Sequence, residues 1–235
     1  MAERTLNHFS VFSFRPEFWE LDGVSRAQLL SAWFERLADT LPVAHFYQVY
    51  PAHDHMDLLL WTAVEVGDPG VPERFFADYA RLITPMRPYL HTELTLWGLT
   101  KPSMYARGRS TQELNPFSEE RQPYLVVYPF VKTADWYLMS RDARQGMMNE
   151  HIRKGREYPQ ITQLLLYSFG LQDQEFVVVY ETADLGLFSD LVQDLRSSEA
   201  RRFTERDTPI ITGVFRTTKA LIDIFASSLA HEGRE

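Results

Sequence analysis

The sequence predicts an α+β protein in which two ferredoxin-like halves combine their sheets into a dimeric α+β barrel within one chain. Strand and helix patterns occur in the order βαββαβ twice, in segments of similar length. This order fits antiparallel sheets that either join back to back or close into a barrel, and we expect the barrel. The first unit spans residues 1–100 and the second spans 123–235. Residues 101–122 are rich in Pro, Gly, Ser, Asn and charge, which predicts a linker loop. Since no literal repeat is visible, the duplication is inferred from element order alone.

The elements of the first half follow from its hydrophobic periodicity. Alternating or continuous apolar runs predict strands, and apolar residues spaced three and four apart predict amphipathic helices. Ser25 is the residue type expected at the N-cap of the first helix. The predicted elements are strand 6–14, helix 25–41, strands 43–51 and 56–66, helix 72–83 and strand 91–100.

The second half repeats this order after the linker, and one helix is added at its end. The predicted elements are strand 124–132, helix 140–157, strands 161–171 and 175–181, helix 187–203, strand 208–216 and helix 217–232. The final helix has an apolar stripe that needs a partner surface.

Composition excludes several classes of protein. Of the 235 residues, 45% are hydrophobic and 24% are charged, as in an ordinary globular chain. The net charge of -8 argues against a general nucleic-acid binder. The start, MAERTLNHF, lacks an apolar signal region and no segment is long enough to span a membrane, so a cytoplasmic location is expected. With no cysteine, any metal must be held by His, carboxylate, Tyr or Met.

His151 is the first candidate for chemistry. On the predicted helix it shares one face with Met147, Met148 and Lys154. An imidazole among soft apolar side chains suits a flat apolar ligand, and a haem iron needs only one protein ligand on one side. A zinc site would need further ligands at metal spacing. A hydrogen-bonded structural histidine remains the alternative.

Two strands of the second half supply further candidates. Alternation places Tyr128, Phe130 and Lys132 on one face, which would give a pocket an oxidisable phenol, an aromatic ring and a carboxylate-binding ammonium. The alternative is that the lysine reaches water at the strand edge. On a later strand, the amide of Gln163 must be either exposed or hydrogen-bonded.

Six segments of the second half, in order, resemble the chlorite dismutase-like superfamily. They are YPFVK, WYLM, MMNEH, GREYP, LLLYSFGLQDQEF and LRSSEARRF. The Tyr-Pro-x-x-Lys pattern resembles the haem-biosynthetic, HemQ-type branch, the coproheme decarboxylases. Chlorite dismutases carry a distal arginine, whereas the corresponding strand here offers Gln163, so efficient chlorite decomposition is not expected.

The resemblance implies an activity and a role for each candidate. The activity is hydrogen peroxide-dependent oxidative decarboxylation of iron-coproporphyrin III (coproheme) to haem b through a tyrosyl radical. His151 would be the proximal ligand of the haem iron, with Lys132 and Glu199 supporting it, and Gln163 would lie on the distal side. Tyr128 would form the radical, and Lys132 would bind or position a propionate.

The remaining propionates need basic partners, because buried unpaired carboxylates are costly. Arg107, Arg109, Arg156 and Arg196 are candidates, and the first two lie in the long linker, which could fold over a bound porphyrin. The resemblance also implies a homopentamer, and a transient contact with ferrochelatase is a further expectation.

Two other functions stay open. One is a haem peroxidase or a chlorite-degrading enzyme that retains haem b as cofactor. The other is a haem-binding paralogue without turnover. Apart from these, His53 and His55 form an His-x-His pair that could bind metal or make a polar turn. The chain carries no phosphate-loop or dinucleotide fingerprint.

Overall fold

The computed structural model describes residues 4–105 and 111–227. Its first half contains β1 (Arg4–Phe14), α1 (Pro16–Trp19), α2 (Gly23–Thr40), β2 (His45–Gln48), β3 (Leu58–Val66), α3 (Val71–Ile83) and β4 (Leu90–Thr100). The second half contains β5 (Tyr124–Lys132), α4 (Ala134–Leu138), α5 (Arg141–Gly155), β6 (Thr162–Tyr167), β7 (Phe176–Thr182), α6 (Leu185–Arg196), β8 (Thr204–Arg206), β9 (Ile211–Phe215) and α7 (Thr218–Ala226). Short 3-10 helices occupy Thr84–Met86 and Glu199–Phe203.

Eight of the strands close into a barrel. The sheet runs in the order β7-β6-β4-β1-β3-β2-β9-β5, and an antiparallel pairing of β5 with β7 joins its two ends. The ninth strand, β8, pairs antiparallel with the end of β5, at Val131 and Lys132. Closure leaves no free edge along the barrel wall, which removes a common route to aggregation.

Each half contributes a four-stranded sheet with the ferredoxin-like order. In the first half the order is β4-β1-β3-β2, and in the second it is β6-β7-β5-β9. The halves meet at two seams, where β4 pairs with β6 and β2 pairs with β9. The predicted barrel of two ferredoxin-like halves is therefore confirmed.

Alternation along the strands separates the barrel interior from the outer helix layer. Leu59 and Trp61 join an interior cluster to which all eight barrel strands contribute, whereas Leu58 and Leu60 face outward into a second cluster with α2 and α3. Helix α7 follows the second half in sequence, yet Leu221 and Phe225 pack into that outer cluster of the first half. The apolar stripe of α7 thus finds its partner on α2.

One predicted helix start is wrong by a few residues. Helix α2 begins at Gly23, and its N-cap is Asp22, whose carboxylate accepts a hydrogen bond from the backbone N–H of Ser25 at 2.7 Å. Aspartate and serine are both good caps, and the chain uses the earlier one.

In the parts of the chain that the structure describes, no helix is both long and apolar enough to cross a membrane.

His8 provides a prediction about acid stability. Its ring is fully buried beside Phe75, Phe76 and Tyr79, and its Nδ1 has no hydrogen-bond partner among the described residues. Burial lowers its pKa from 6.5 to about 3. Below pH 6.5 this histidine is protonated in the unfolded state but stays neutral in the folded state. The free energy of unfolding therefore falls as the pH is lowered, and it levels off only near pH 3, where the folded state also binds the proton.

By pH 4.5 this loss should reach about 3 kcal/mol, from two pH units at about 1.4 kcal/mol each. The substitution His8→Leu should remove that part of the pH dependence. Urea unfolding at pH 7 and at pH 4.5 measures the effect, with His91→Leu at an exposed strand position as control. An unchanged difference between the two pH values in His8→Leu would contradict the assignment to this histidine.

Candidate functional site

The outer face of the second sheet is covered less completely than that of the first. Only Val126, Ile161, Tyr180 and Leu191 form its buried cluster, and helix α5 has no buried residue. Leu165 on β6 remains 43% exposed. An apolar sheet face with so few buried residues leaves space for a flat apolar ligand.

The strand register brings three predicted site residues onto this face. Across β5, β7 and β6, Tyr128 lies beside Val178, and Val178 lies beside Leu165. Two residues from this row, on the same face, Tyr180 lies between Val126 and Gln163. In the other direction Phe130 lies beside Phe176, with the two ring centroids 6.2 Å apart. Tyr128, Phe130 and Gln163 thus lie on a single surface.

Helix α5 carries His151 and packs against α6 and the 3-10 segment Glu199–Phe203. The helix begins after Ser140, whose hydroxyl accepts a hydrogen bond from the N–H of Ala143 at 3.2 Å. The His151 imidazole makes no hydrogen bond with any residue that the structure describes. Burial, together with the positive charge of Lys132, lowers its pKa to about 4. The ring is therefore neutral near pH 7 and keeps a nitrogen lone pair for a metal.

Lys132 occupies a buried position at the end of β5. Its Nζ donates a hydrogen bond to the carbonyl of Ala200 at 3.0 Å and lies 4.3 Å from the ring centroid of Trp136. Burial lowers its pKa to about 8, and the charge of Arg201 acts in the same direction. The charge of Lys132 also lowers the pKa of His151, which places the two groups near each other. The structure thus directs this ammonium toward the segment 199–203.

Tyr128 is a neutral phenol in an apolar setting. Its ring stacks on that of Tyr180 with the centroids 6.3 Å apart. Burial raises the pKa of Tyr128 well above 10, and the neighbouring Tyr180 raises it further. Tyr180 was not singled out from the sequence. Its ring contact with Tyr128 depends on the register between β5 and β7, which are distant in the sequence.

Gln163 connects this face to the linker. Its backbone N–H donates to the carbonyl of Gln112 at 2.8 Å, and its carbonyl accepts from the N–H of Leu114 at 2.9 Å. Its side chain is exposed on the outer face. The Gln112 amide in turn donates to the carbonyls of Gly155 and Tyr158, at 3.3 and 2.9 Å. Gln112 therefore ties the exit of the His151 helix to the strand that carries Gln163.

The carboxylate that acts on His151 is that of Glu150, whereas the sequence predicted support from Glu199. The exposed Glu199 carboxylate accepts a hydrogen bond from Arg202 at 2.8 Å. Its backbone N–H donates to the Glu150 carboxylate at 3.4 Å, and Glu150 also lies 3.8 Å from the Lys154 ammonium. Glu150 is thus the carboxylate whose charge acts on His151, raising its pKa against the larger effects of burial and Lys132.

The predicted propionate partners differ in their surroundings. Arg107 and Arg109 lie outside the described residues. Arg156 follows α5 directly and is exposed, and Met147 lies half-buried one turn before His151. Arg196 lies 3.4 Å from Asp207.

Sequence reasoning missed Arg201, which lies 2.5 Å from Asp207. The charge of Asp207 acts on Tyr128 and that of Arg201 acts on Lys132, so this ion pair borders the candidate face. The motif LRSSEARRF contained the signal, but its charges are also those of an ordinary solvated turn.

These residues fit an iron porphyrin that carries carboxylates. The neutral imidazole of His151 has no competing hydrogen bond within the described chain, and the outer face of the second sheet is apolar and incompletely covered. Basic side chains at Arg196 and Arg201 lie at its border. A nitrogen ligand for iron, an apolar platform and cationic groups for carboxylates are the elements of a porphyrin site.

Comparison with known proteins identifies relatives over most of the chain. The family model for chlorite dismutase matches residues 24–216. A coproheme decarboxylase from Mycolicibacterium smegmatis is 38% identical over 209 residues, 87% of each chain. A chlorite dismutase from Ideonella dechloratans is 23% identical and covers 91% of this chain and 77% of its own. A variant of the chlorite dismutase from Candidatus Nitrospira defluvii superposes with a TM-score of 0.81 at 23% identity, covering 97% of both chains.

The solved structure shares the fold, and the family model together with the mycobacterial relative covers most of the sequence. The motifs around Tyr128, His151 and Gln163 all fall inside the matched region. The chain therefore belongs to the chlorite dismutase family.

Proposed function

We propose that this chain converts coproheme to haem b by oxidative decarboxylation of two propionates, with hydrogen peroxide as the oxidant. The observation that carries the proposal is a neutral, partly buried tyrosine, Tyr128, on an incompletely covered sheet face, together with the neutral imidazole of His151 on α5. The 38% identity to a coproheme decarboxylase over most of both chains supports the same activity.

The reaction balances with one peroxide for each propionate. A propionate side chain, –CH2–CH2–COO⁻, loses carbon dioxide, one proton and two electrons and becomes a vinyl group. Hydrogen peroxide accepts the two electrons with two protons and becomes two molecules of water. Coproheme has four propionates, so two such rounds leave the two propionates and two vinyl groups of haem b.

Each residue has a defined task in this scheme. His151 would bind the iron through its free imidazole nitrogen and so hold the porphyrin beside α5. Tyr128 would give up its phenolic hydrogen and then take a hydrogen atom from the propionate chain. Its raised pKa keeps the hydrogen in place until oxidation, because the phenolate is disfavoured. The iron centre supplies the oxidising power, and the protein supplies placement.

Lys132 and the arginines would govern the carboxylates. Lys132 holds the Ala200 carbonyl at 3.0 Å, so it would position the segment 199–203 or turn toward a propionate when one is present. Arg196 and Arg201, now paired with Asp207, would form charge-assisted hydrogen bonds to propionates. Arg107, Arg109 and Arg156 are proposed as further partners, and Phe130 and Met147 as apolar contacts.

The test is direct conversion of the substrate. Purified protein with coproheme is titrated with hydrogen peroxide, and the porphyrin is followed by mass spectrometry. Two successive losses, each of one carboxyl group plus one hydrogen, are the expected result. Coproheme bound and left unchanged would instead identify a haem-binding protein without turnover, and peroxide-driven oxidation of added donors would identify a peroxidase.

Gln163 provides a prediction for the distal side. The Gln163 side chain is exposed on the outer face of β6, and we propose that it orients the oxidant, so Gln163→Leu should slow the reaction with peroxide about tenfold or more. Coproheme affinity should change little. Stopped-flow absorption after peroxide mixing measures the rate, with Gln193→Leu on the exposed side of α6 as control. Equal rates in both variants would remove Gln163 from the site.

Assembly is proposed on the family resemblance alone. We propose that the chain forms a homopentamer and passes its porphyrin to or from ferrochelatase in a transient contact. Light scattering during size-exclusion chromatography measures the mass of the assembly. A monomer that converts coproheme at full rate would show that assembly is not needed for the activity.

A further inference from the structure

The turn between β2 and β3 lies on the first half of the molecule and plays no part in the proposed reaction. It carries His53, Asp54 and His55 in succession. The Asp54 Oδ1 atom lies 2.9 Å from Nδ1 of His53 and 2.6 Å from Nδ1 of His55. Ligand atoms of these three residues all lie within 4.8 Å of one another. Nitrogen atoms of two imidazoles thus lie close to the same carboxylate oxygen.

This spacing is close to that of a metal centre. Ligand atoms of a tetrahedral zinc site, with bonds of about 2.0–2.1 Å, lie roughly 3.3 Å apart. The two N–O separations in the turn need to widen by less than an ångström to reach that value. The two rings lie nearly perpendicular, at 85° with centroids 4.6 Å apart, so they do not block each other from a shared ion.

The hydrogen bonding within the turn is incomplete. The carboxylate of Asp54 and the ring of His55 form a hydrogen bond at 2.6 Å. Nδ1 of His53, in contrast, is shielded from solvent and makes no hydrogen bond of acceptable geometry with the described residues. Polar atoms that are removed from water usually have a hydrogen-bond partner or a bound ion, and Nδ1 of His53 has no hydrogen-bond partner among the described residues. A metal ion bound to it would satisfy that requirement.

The cavity beside the turn has the charge that attracts a cation. It has a volume of about 590 Å3, and Asp54, His55, Asp57 and Glu93 line it. The described residues around it include three carboxylates and no lysine or arginine. Asp57 accepts a hydrogen bond from the N–H of Phe14 and Glu93 accepts one from Ser13. Each of these two carboxylates keeps a second oxygen that could contact an ion. The negative charge of the lining, with no lysine or arginine among the described residues that line the cavity, favours positive ions.

We propose that this turn is a binding site for a divalent transition-metal ion, with His53, Asp54 and His55 as ligands and water or a carboxylate from the adjacent cavity completing the shell. Imidazole ligands select zinc, cobalt, nickel or copper over magnesium and calcium, which prefer oxygen alone. The ion would fasten the turn that joins β2 to β3. The site is independent of the porphyrin and of its conversion.

Tag-free protein titrated with cobalt chloride and with zinc chloride tests the site. One cobalt ion per chain should bind and give visible absorption bands, and zinc should displace it. The variants His55→Asn and Asp54→Asn should each weaken binding about tenfold or more, since even outer partners of a metal site contribute that much. Zinc should also raise the melting temperature of the unaltered protein and not that of His55→Asn.

His91→Asn is the matched control, because His91 is exposed on β4 and has no second histidine beside it in the sequence. It should bind cobalt as the unaltered protein does. Cobalt affinity that is the same in His55→Asn and in the unaltered protein would overturn the proposal, as would an absence of binding at millimolar cobalt. Asp54 and His55 lie in an exposed turn, so unchanged circular dichroism of Asp54→Asn and His55→Asn would show that the fold is retained.

Discussion

Tyr128→Phe should bind coproheme with the affinity of the unaltered protein and lose its conversion to haem b. The phenyl ring keeps the stacking on Tyr180, so the apolar platform stays in place. The lost hydroxyl is the group that would donate and regain a hydrogen during each round. Removing a group that transfers a proton in the transition state costs roughly 10²–10⁴-fold in rate, and a loss in that range is expected.

Two measurements separate chemistry from binding in this variant. Absorption titration gives the coproheme affinity, and mass spectrometry after peroxide addition gives the conversion. Tyr167→Phe is the control, because Tyr167 lies on the same sheet face, beside Phe176. It should convert coproheme normally. Wild-type-like conversion by Tyr128→Phe would exclude Tyr128 as the residue that forms the radical, whereas weak binding would mean that the hydroxyl holds the substrate instead.

The proposed mechanism also predicts where an unpaired electron appears. Electron paramagnetic resonance of samples frozen after peroxide addition should show a tyrosyl signal that Tyr128→Phe removes. Tyr180 interacts with the Tyr128 hydroxyl, so Tyr180→Phe should change the shape of the signal without removing it. A signal that survives in Tyr128→Phe and disappears in Tyr180→Phe would move the radical to the neighbouring strand.

Some local features of the second half could be predicted from the sequence, whereas the predicted helix 187–203 ends at Arg196 and the predicted strand 161–171 ends at Tyr167. The bounds of β5 agree with its alternating residues, and α5 begins after the serine that caps it. Both features depend on side chains a few residues apart. The closure of the barrel also followed, because two βαββαβ units have few ways to hide their sheet edges.

Contacts between distant segments could not be predicted in the same way. The pairing of Tyr128 with Tyr180 depends on strand register, and the packing of α7 on α2 depends on the closed barrel. The ammonium of Lys132 lies against Ala200, a contact that follows from the 3-10 turn at Glu199–Phe203 rather than from alternation along β5. A one-dimensional pattern specifies which face a side chain takes, but not which partner it meets there.

His151→Ala should abolish conversion and weaken coproheme binding, because it removes the only imidazole that α5 offers to the iron. Alanine is the best helix former, so the helix itself should be unharmed. Losing the bond to iron should cost at least the 10- to 100-fold that second-shell changes cost in metal sites. The absorption spectrum of bound coproheme should change, because the ligand environment of its iron changes.

Added imidazole distinguishes ligation from a structural role. The shortened side chain leaves room on α5 beside an incompletely packed face, so free imidazole should enter and restore the spectrum and part of the conversion. Arg153→Ala is the control on the same helix, since Arg153 is exposed and pairs only with Glu157 among the described residues. It should behave as the unaltered protein. If His151→Ala kept the original spectrum without imidazole, the iron would have another ligand, and the proposed orientation of the porphyrin beside α5 would have to be abandoned.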